Sequence, residues 1–187
     1  MMGHYLDDNA KRRVRNAKSL EAFGVDLGDS FSERYRTIRK GEGPTIYTVG
    51  YERRSGDDLI SALVDAQIEV LVDVRQKPFS RKPDFRKVAL ATLCDESGIR
   101  YETWTRLGST QHQRESLRET GDYTRFYRLF RDLMKRGRKN EIRALADLSA
   151  TATIALICYE RAHDECHRSV VAELAAELCD ASVVAIT

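Results

Sequence analysis

From Thr45 onward the apolar positions follow two rhythms. TIYTVGY (45–51), EVLVDV (69–74), TATIALICY (151–159) and SVVAI (182–186) are short, β-branched apolar runs, as buried strands are, and IRYETW (99–104) reads as a further strand. Between them Leu59, Leu63 and Ala66 recur at helical intervals, a helix over about 84–97 stops at Gly98, and Val170, Val171, Leu174, Ala175 and Leu178 stripe a helix over about 165–179. Strand–helix–strand units of this kind predict a mostly parallel sheet covered on both faces, with right-handed crossovers. The expected fold is a single Rossmann-like, three-layer α/β domain. Segment 121–148 breaks the alternation. Tyr123, Phe126, Tyr127, Phe130, Leu133 and Met134 repeat at three and four, which predicts two helices without an intervening strand, a helical insertion packed by that stripe.

Residues 1–43 are polar and carry Lys11, Arg12, Arg13, Arg15 and Lys18 before the punctuation GEGP at 41–44. They read as a basic arm, or as a docked, weakly amphipathic helix over about 9–23, ahead of an α/β domain at 44–187. With 187 residues, 42% of them hydrophobic and 32% charged, the chain is sized for one globular domain with a true core. No apolar run reaches membrane length and the first residues do not resemble a signal peptide, so the expectation is a cytoplasmic protein without membrane contact. Cys94, Cys158, Cys166 and Cys179 are too sparse for a disulfide framework and suit a reducing compartment. The net charge of +2 conceals segregation: residues 75–87 hold six basic groups and one acidic, residues 106–143 eleven and five, residues 144–187 two and seven. The basic segments either form a solvated surface or attract a nucleotide or nucleic acid.

Ligands of open α/β sheets bind beyond the carboxyl ends of the strands, and reactive side chains crowd those ends here. Strand ends supply Tyr51, Asp73, Arg75, Cys158 and Glu160, and the next helix start supplies Cys166, His167 and Arg168. Cys166 and His167 each stand one helical turn before an apolar position, Val170 and Val171, so both point toward the sheet near Cys158. A phosphatase or rhodanese cradle does not fit, since Asp164 rather than arginine is sixth after Cys158 and no glycine relieves the turn.

Three chemistries remain open. A Cys166 or Cys158 thiolate assisted by imidazole can act as nucleophile, with Glu160 for acid–base work. Cys158, Cys166 and His167 can bind zinc or iron, although the seven-residue gap and the adjacent Cys-His pair are unusual for one ion. Arg75 and Arg168 can grip a phosphate or carboxylate, with Ser80, Arg81 and the close-approach glycine Gly108 contributing from loops. Asp73 and Arg75 equally suit a structural ion pair. The reading adopted at this level is a catalytic set of Cys158, Glu160, Cys166 and His167 and an anion-binding set of Tyr51, Asp73, Arg75, Ser80, Arg81, Gly108 and Arg168, with no bound metal or other cofactor. Cys94 and Cys179 are assigned to helix packing. The expected function is an enzyme, a hydrolase or transferase, acting on a phosphate-bearing nucleotide or nucleic acid. Its rival is a non-catalytic nucleic-acid-binding or accessory subunit.

Four motifs, YTVGYE, LVDVRQKPFSRKPDF, GIRYETWTRLG and ALICYERAHDECHRSVVAEL, together resemble the bacterial and archaeal family of unknown function numbered 488, over about residues 45–178. The resemblance implies a compact α/β fold in which Gly50, Asp73, Arg75, Pro78, Ser80, Gly108, Cys158, Glu160, Cys166, His167 and Arg168 match the family's hallmark positions. Arg53 stands where similar sequences often carry glycine, and Ala185 where the closing strand often carries histidine.

Overall fold

The structure is a computed structural model that describes residues 35–187; the helix expected over about 9–23 lies outside them. Six strands form one sheet: β1 (Tyr35–Arg39), β2 (Thr45–Gly50), β3 (Val70–Asp73), β4 (Arg100–Thr103), β5 (Ile154–Cys158) and β6 (Ser182–Ile186), in the order β1-β6-β2-β5-β3-β4. All neighbours run parallel except β1, which lies antiparallel to β6 with Tyr35 opposite Ile186. This is the expected three-layer α/β domain with a mostly parallel sheet. Its sheet begins upstream of the expected boundary at residue 44, because β1 lies inside the segment read as an arm. Arg36, Thr37 and Arg39 make that strand polar, which suits an edge that must not pair with another chain.

The helices are α1 (Gly56–Asp65), α2 (Lys87–Glu96), α3 (Gln111–Thr120), α4 (Tyr123–Gly137), α5 (Lys139–Ser149) and α6 (Arg168–Cys179). α1 starts at a capping box in which Ser55 and Asp58 exchange hydrogen bonds, and it buries Leu59 and Leu63. It shares one face of the sheet with α2, where Leu90, Cys94 and Phe85 meet Val49, Leu71, Ala155 and Ile157. The opposite face is covered by α4, α5 and α6. There Phe130, Met134, Ile142, Leu145, Val170 and Leu174 pack on Ile46, Val70, Val72, Leu156 and Cys158. Cys94 is fully buried, as its packing assignment requires, while Cys179 is half-buried with its thiol on the Ala175 carbonyl.

The insertion is longer than 121–148, since α3 precedes it. α3 buries no residue, so there was no apolar period to read, yet its Thr110/Gln113 capping box is visible in the sequence. Gly121 then ends α3 in the left-handed region at φ 64°, and Asp122 caps α4. No helix among the described residues is long and apolar enough to cross a membrane.

Candidate active site

The chain leaves β3 through α2 on one face toward β4, and leaves β5 through α6 on the other face toward β6. Between β5 and β3 the connections therefore diverge, which makes their carboxyl ends the topological switch point of the sheet. The strand ends are level there: Gly50 pairs with Cys158, Val74 N–H donates to the Ile157 carbonyl, and Trp104 N–H to the Asp73 carbonyl. Arg75 and Cys158 thus lie at one end of the sheet.

They lie on opposite faces of it. Asp73 pairs with Ile157, so Cys158, one residue on, projects to the other side. The residues expected to form a single site accordingly fall into two clusters. Under α1 and α2, Asp73 holds Arg75 at both carboxylate oxygens, and the free edge of the guanidinium donates to the Phe85 carbonyl (2.9 Å) and the Tyr51 hydroxyl (3.1 Å). Tyr51 in turn stacks on Phe85 with ring centroids 4.4 Å apart. Burial works against the Arg75 charge, but Asp73 more than offsets it and holds the guanidinium above its ordinary value. Burial and then Asp73 likewise raise the Tyr101 hydroxyl, which donates to Asp73. The geometry is that of a structural ion pair; an anion would have to compete with Asp73 for the fork. Ser80 is buried and accepts from the Lys82 N–H, whereas Arg81 and Phe79 stand exposed in the loop after β3. Gly108 does mark a close approach: a Cβ there would overlap the Gln76 backbone.

Under α4 and α6 lie the reactive groups. Cys158 Sγ stands 3.4 Å from Glu160 Oε2 and 3.8 Å from His167 Nδ1, and Cys166 Sγ is 3.9 Å from the same nitrogen. Cys158, Cys166 and His167 are buried; Glu160 is half-buried. The other ring nitrogen, Nε2, faces the Val74 carbonyl at 3.3 Å and Phe130 meets the ring edge-on, which fixes the imidazole. Arg168, fully buried, donates from Nη1 to the Glu160 carbonyl (2.5 Å) and from Nη2 to the Arg161 carbonyl (3.0 Å). Like Arg75 it is committed to protein, here to the loop between the cysteines. That loop is pressed against β2 so closely that a Cβ on Gly50 would overlap the Glu160 carbonyl. Among the described residues, Cys158, Cys166 and His167 also form the group able to hold a metal ion, with ligand atoms all within 4.8 Å of one another.

Without an ion the electrostatics separate the two thiols. The contact with Cys166, together with burial, pushes Cys158 well above its ordinary value. Burial opposes a Cys166 thiolate, but the Cys158 S–H, the imidazolium of His167 and Arg168 outweigh it and hold Cys166 well below the usual thiol range. Burial also opposes charge on His167, and Cys166 and Glu160 reverse that to raise it. Burial first, then Cys166, pushes Glu160 up to about 7. The arrangement favours charge on the Cys166 thiol and the His167 ring together, beside a carboxyl poised to exchange protons near neutrality.

Two further side chains belong to this side of the sheet. Tyr127, read from the sequence only as part of the core stripe, donates its hydroxyl to the Asp164 carbonyl at 2.7 Å and so anchors the loop before Cys166. His163, in the segment between the two cysteines, is buried with Nδ1 2.8 Å from Thr48 Oγ1. No signal in the sequence distinguishes either from an ordinary loop or stripe residue.

Fold and cluster define an α/β protein with a cysteine–histidine–carboxylate site at the strand ends of a parallel sheet. Residues 55–175 match the model of DUF488, a domain of unknown function. The match spans more than half of the chain, which therefore belongs to that family. No curated protein and no solved structure matches the chain.

Proposed function

We propose that this protein is a cytoplasmic enzyme, a hydrolase or transferase, that acts on a phosphate-bearing substrate, a nucleotide or nucleic acid, at the carboxyl ends of β3 and β5. The observation that carries the reading is the convergence of Cys158, Glu160, Cys166 and His167 from two separate elements at the topological switch point, where ligands of open sheets bind. Four free thiols and no disulfide among the described residues fit a reducing compartment. Support for a phosphate comes from the loop leaving β3, where Lys77 and Arg81 flank Phe79, a side chain 69% exposed. An exposed aromatic between cations suits stacking on a base with the phosphate held alongside. Arg75 and Arg168 hold the walls in place rather than the anion.

The test is a turnover screen over nucleotides and short nucleic acids, comparing the unaltered protein with Cys166→Ala and with Phe79→Ala/Arg81→Ala. Turnover abolished by the first substitution, with KM raised about tenfold by the second pair, supports the reading. Salt-dependent nucleic-acid binding without turnover, unaffected by Cys166→Ala, supports the accessory-subunit alternative instead.

A further inference from the structure

We propose that Cys158 Sγ, Cys166 Sγ and His167 Nδ1 bind a zinc ion, with Glu160 on the solvent side at the fourth position, where it can be exchanged for water or substrate. The inference concerns the same strand ends as the proposed active site and rests on that reading for its catalytic consequence, though not for the existence of the site.

The argument is one of dimensions. Zinc binds thiolate sulfur at about 2.3 Å and imidazole nitrogen at about 2.0–2.1 Å, so a regular tetrahedron sets sulfur and nitrogen about 3.6 Å apart and two sulfurs about 3.8 Å apart. Here the Sγ to Nδ1 separations are 3.8 and 3.9 Å, Cys158 Sγ to Glu160 Oε2 is 3.4 Å, and the three cysteine and histidine ligand atoms lie within 4.8 Å of one another. The sulfur-to-nitrogen spacings need only a few tenths of an ångström of contraction to close on an ion, the sulfur-to-oxygen spacing needs none, and the sulfur-to-sulfur edge, within 4.8 Å, needs at most about 1 Å. The gap of seven residues between the cysteines, which disfavours a shared ion in the linear sequence, is folded back by Arg168 gripping the Glu160 and Arg161 carbonyls.

The surroundings of the ligands agree. Nδ1 of His167 is the ring nitrogen within reach of both sulfurs, although Cys158 Sγ also lies 4.0 Å from Nε2; Nε2 faces the Val74 carbonyl at 3.3 Å, the kind of outer partner that orients a metal-binding imidazole and fixes its tautomer. Two soft sulfurs and one imidazole select zinc over magnesium or calcium. Three buried protein ligands with one half-buried carboxylate make an open site rather than a closed structural one. Such an ion would polarise a phosphoryl oxygen or a bound water, a role for which the cluster otherwise has no cation aimed outward.

The full chain, purified without chelator from zinc-supplemented medium, should carry close to one zinc per chain by elemental analysis. Occupancy should fall at least fivefold in His167→Gln and in Cys158→Ser. Glu160→Gln should keep the metal. Cobalt(II) added to metal-free protein should give a sulfur-to-cobalt charge-transfer band, lost in Cys166→Ala; circular dichroism on each variant separates ligand loss from unfolding. Unfolding restricted to the metal-free forms supports the site as well. Less than a tenth of an equivalent of zinc with no cobalt band overturns the inference, and so does zinc that survives both ligand substitutions. Turnover by a metal-free protein would sink the catalytic role of the zinc and leave the proposed active site standing. One zinc per chain without turnover of any nucleotide would do the reverse.

Discussion

Asp73, the last residue of β3, clamps Arg75 two residues on, Nε to Oδ1 at 2.8 Å and Nη2 to Oδ2 at 2.5 Å, while the Arg75 N–H also donates to Oδ1 at 3.1 Å. Both residues are buried, so neither charge can turn to water if the other is removed. Breaking a buried pair from one side costs about 3–5 kcal/mol. Asp73→Ala should therefore lower the unfolding free energy by about that much in urea titrations. A loss under about 1 kcal/mol would mean that solvent reaches the guanidinium after all. Arg75→Lys should also destabilise, because an ammonium cannot span the two carboxylate oxygens and still reach Phe85 and Tyr51.

Gly50 should prove far less replaceable than its exposed counterparts. An alanine methyl there would enter the Glu160 carbonyl and the Arg161 backbone, which have no room to retreat while Arg168 holds them. Gly50→Ala is expected to cost about 1–3 kcal/mol in stability, as overpacking does, and to weaken metal retention by shifting the loop between the cysteines. Gly137→Ala meets only the Leu133 side chain and should change stability by less than about 1 kcal/mol. Thermal unfolding of the two variants side by side makes the comparison.

Arg53 adopts φ 60° on an exposed turn. For a residue with a Cβ this conformation costs about 1–2 kcal/mol, and glycine escapes it at the expense of a more flexible unfolded chain. Arg53→Gly should raise the unfolding free energy by up to about 1 kcal/mol. Unchanged or lower stability would show that the arginine side chain compensates for its backbone.

Acid sensitivity should trace in part to His163. Burial, then Arg168, lowers it from 6.5 to about 4 in the folded protein. Between those values the unfolded chain binds a proton that the folded one refuses, so stability falls as the pH drops from about 6.5 toward about 4. The slope from this group is at most about 1.4 kcal/mol per pH unit. His163→Gln, which can still bond Thr48, should flatten the dependence of the urea midpoint between pH 7 and pH 5. An equal slope in both proteins would assign the effect to other groups.

What the sequence made legible follows from which forces leave a one-dimensional trace. Ile154–Cys158 is buried at every position and reads as a strand without help from its neighbours. Cys166 and His167 could be aimed at the sheet because the apolar stripe of α6 fixes its rotation, and the structure finds them beside Cys158. β1 left no trace, since Arg36, Thr37 and Arg39 at an edge need not be apolar. The division of the strand ends into two clusters depends on Asp73 standing opposite Ile157. Register between strands is set by pairing across the sheet, which no single segment records. For the same reason neither arginine announced that its guanidinium was already held by protein groups, Arg75 by Asp73, Phe85 and Tyr51 and Arg168 by the Glu160 and Arg161 carbonyls.

The place of β6 in the sheet also has a temporal side. β1 and β2, close together in sequence, do not pair with each other; β6 fills the space between them. Until residues 182–186 have been synthesised, β1 has no partner and one edge of β2 stands open. A growing chain can bring β2, β3, β4 and β5 together early, but it carries two unpaired strand edges throughout that period. Closure then depends on contacts 144 to 151 residues apart in sequence, Arg39 with Val183 and Tyr35 with Ile186, and such pairings are slow to form and exposed to aggregation while they wait. The polar side chains of β1 that hid it from sequence reading are the ones that keep an unpaired strand soluble in the meantime.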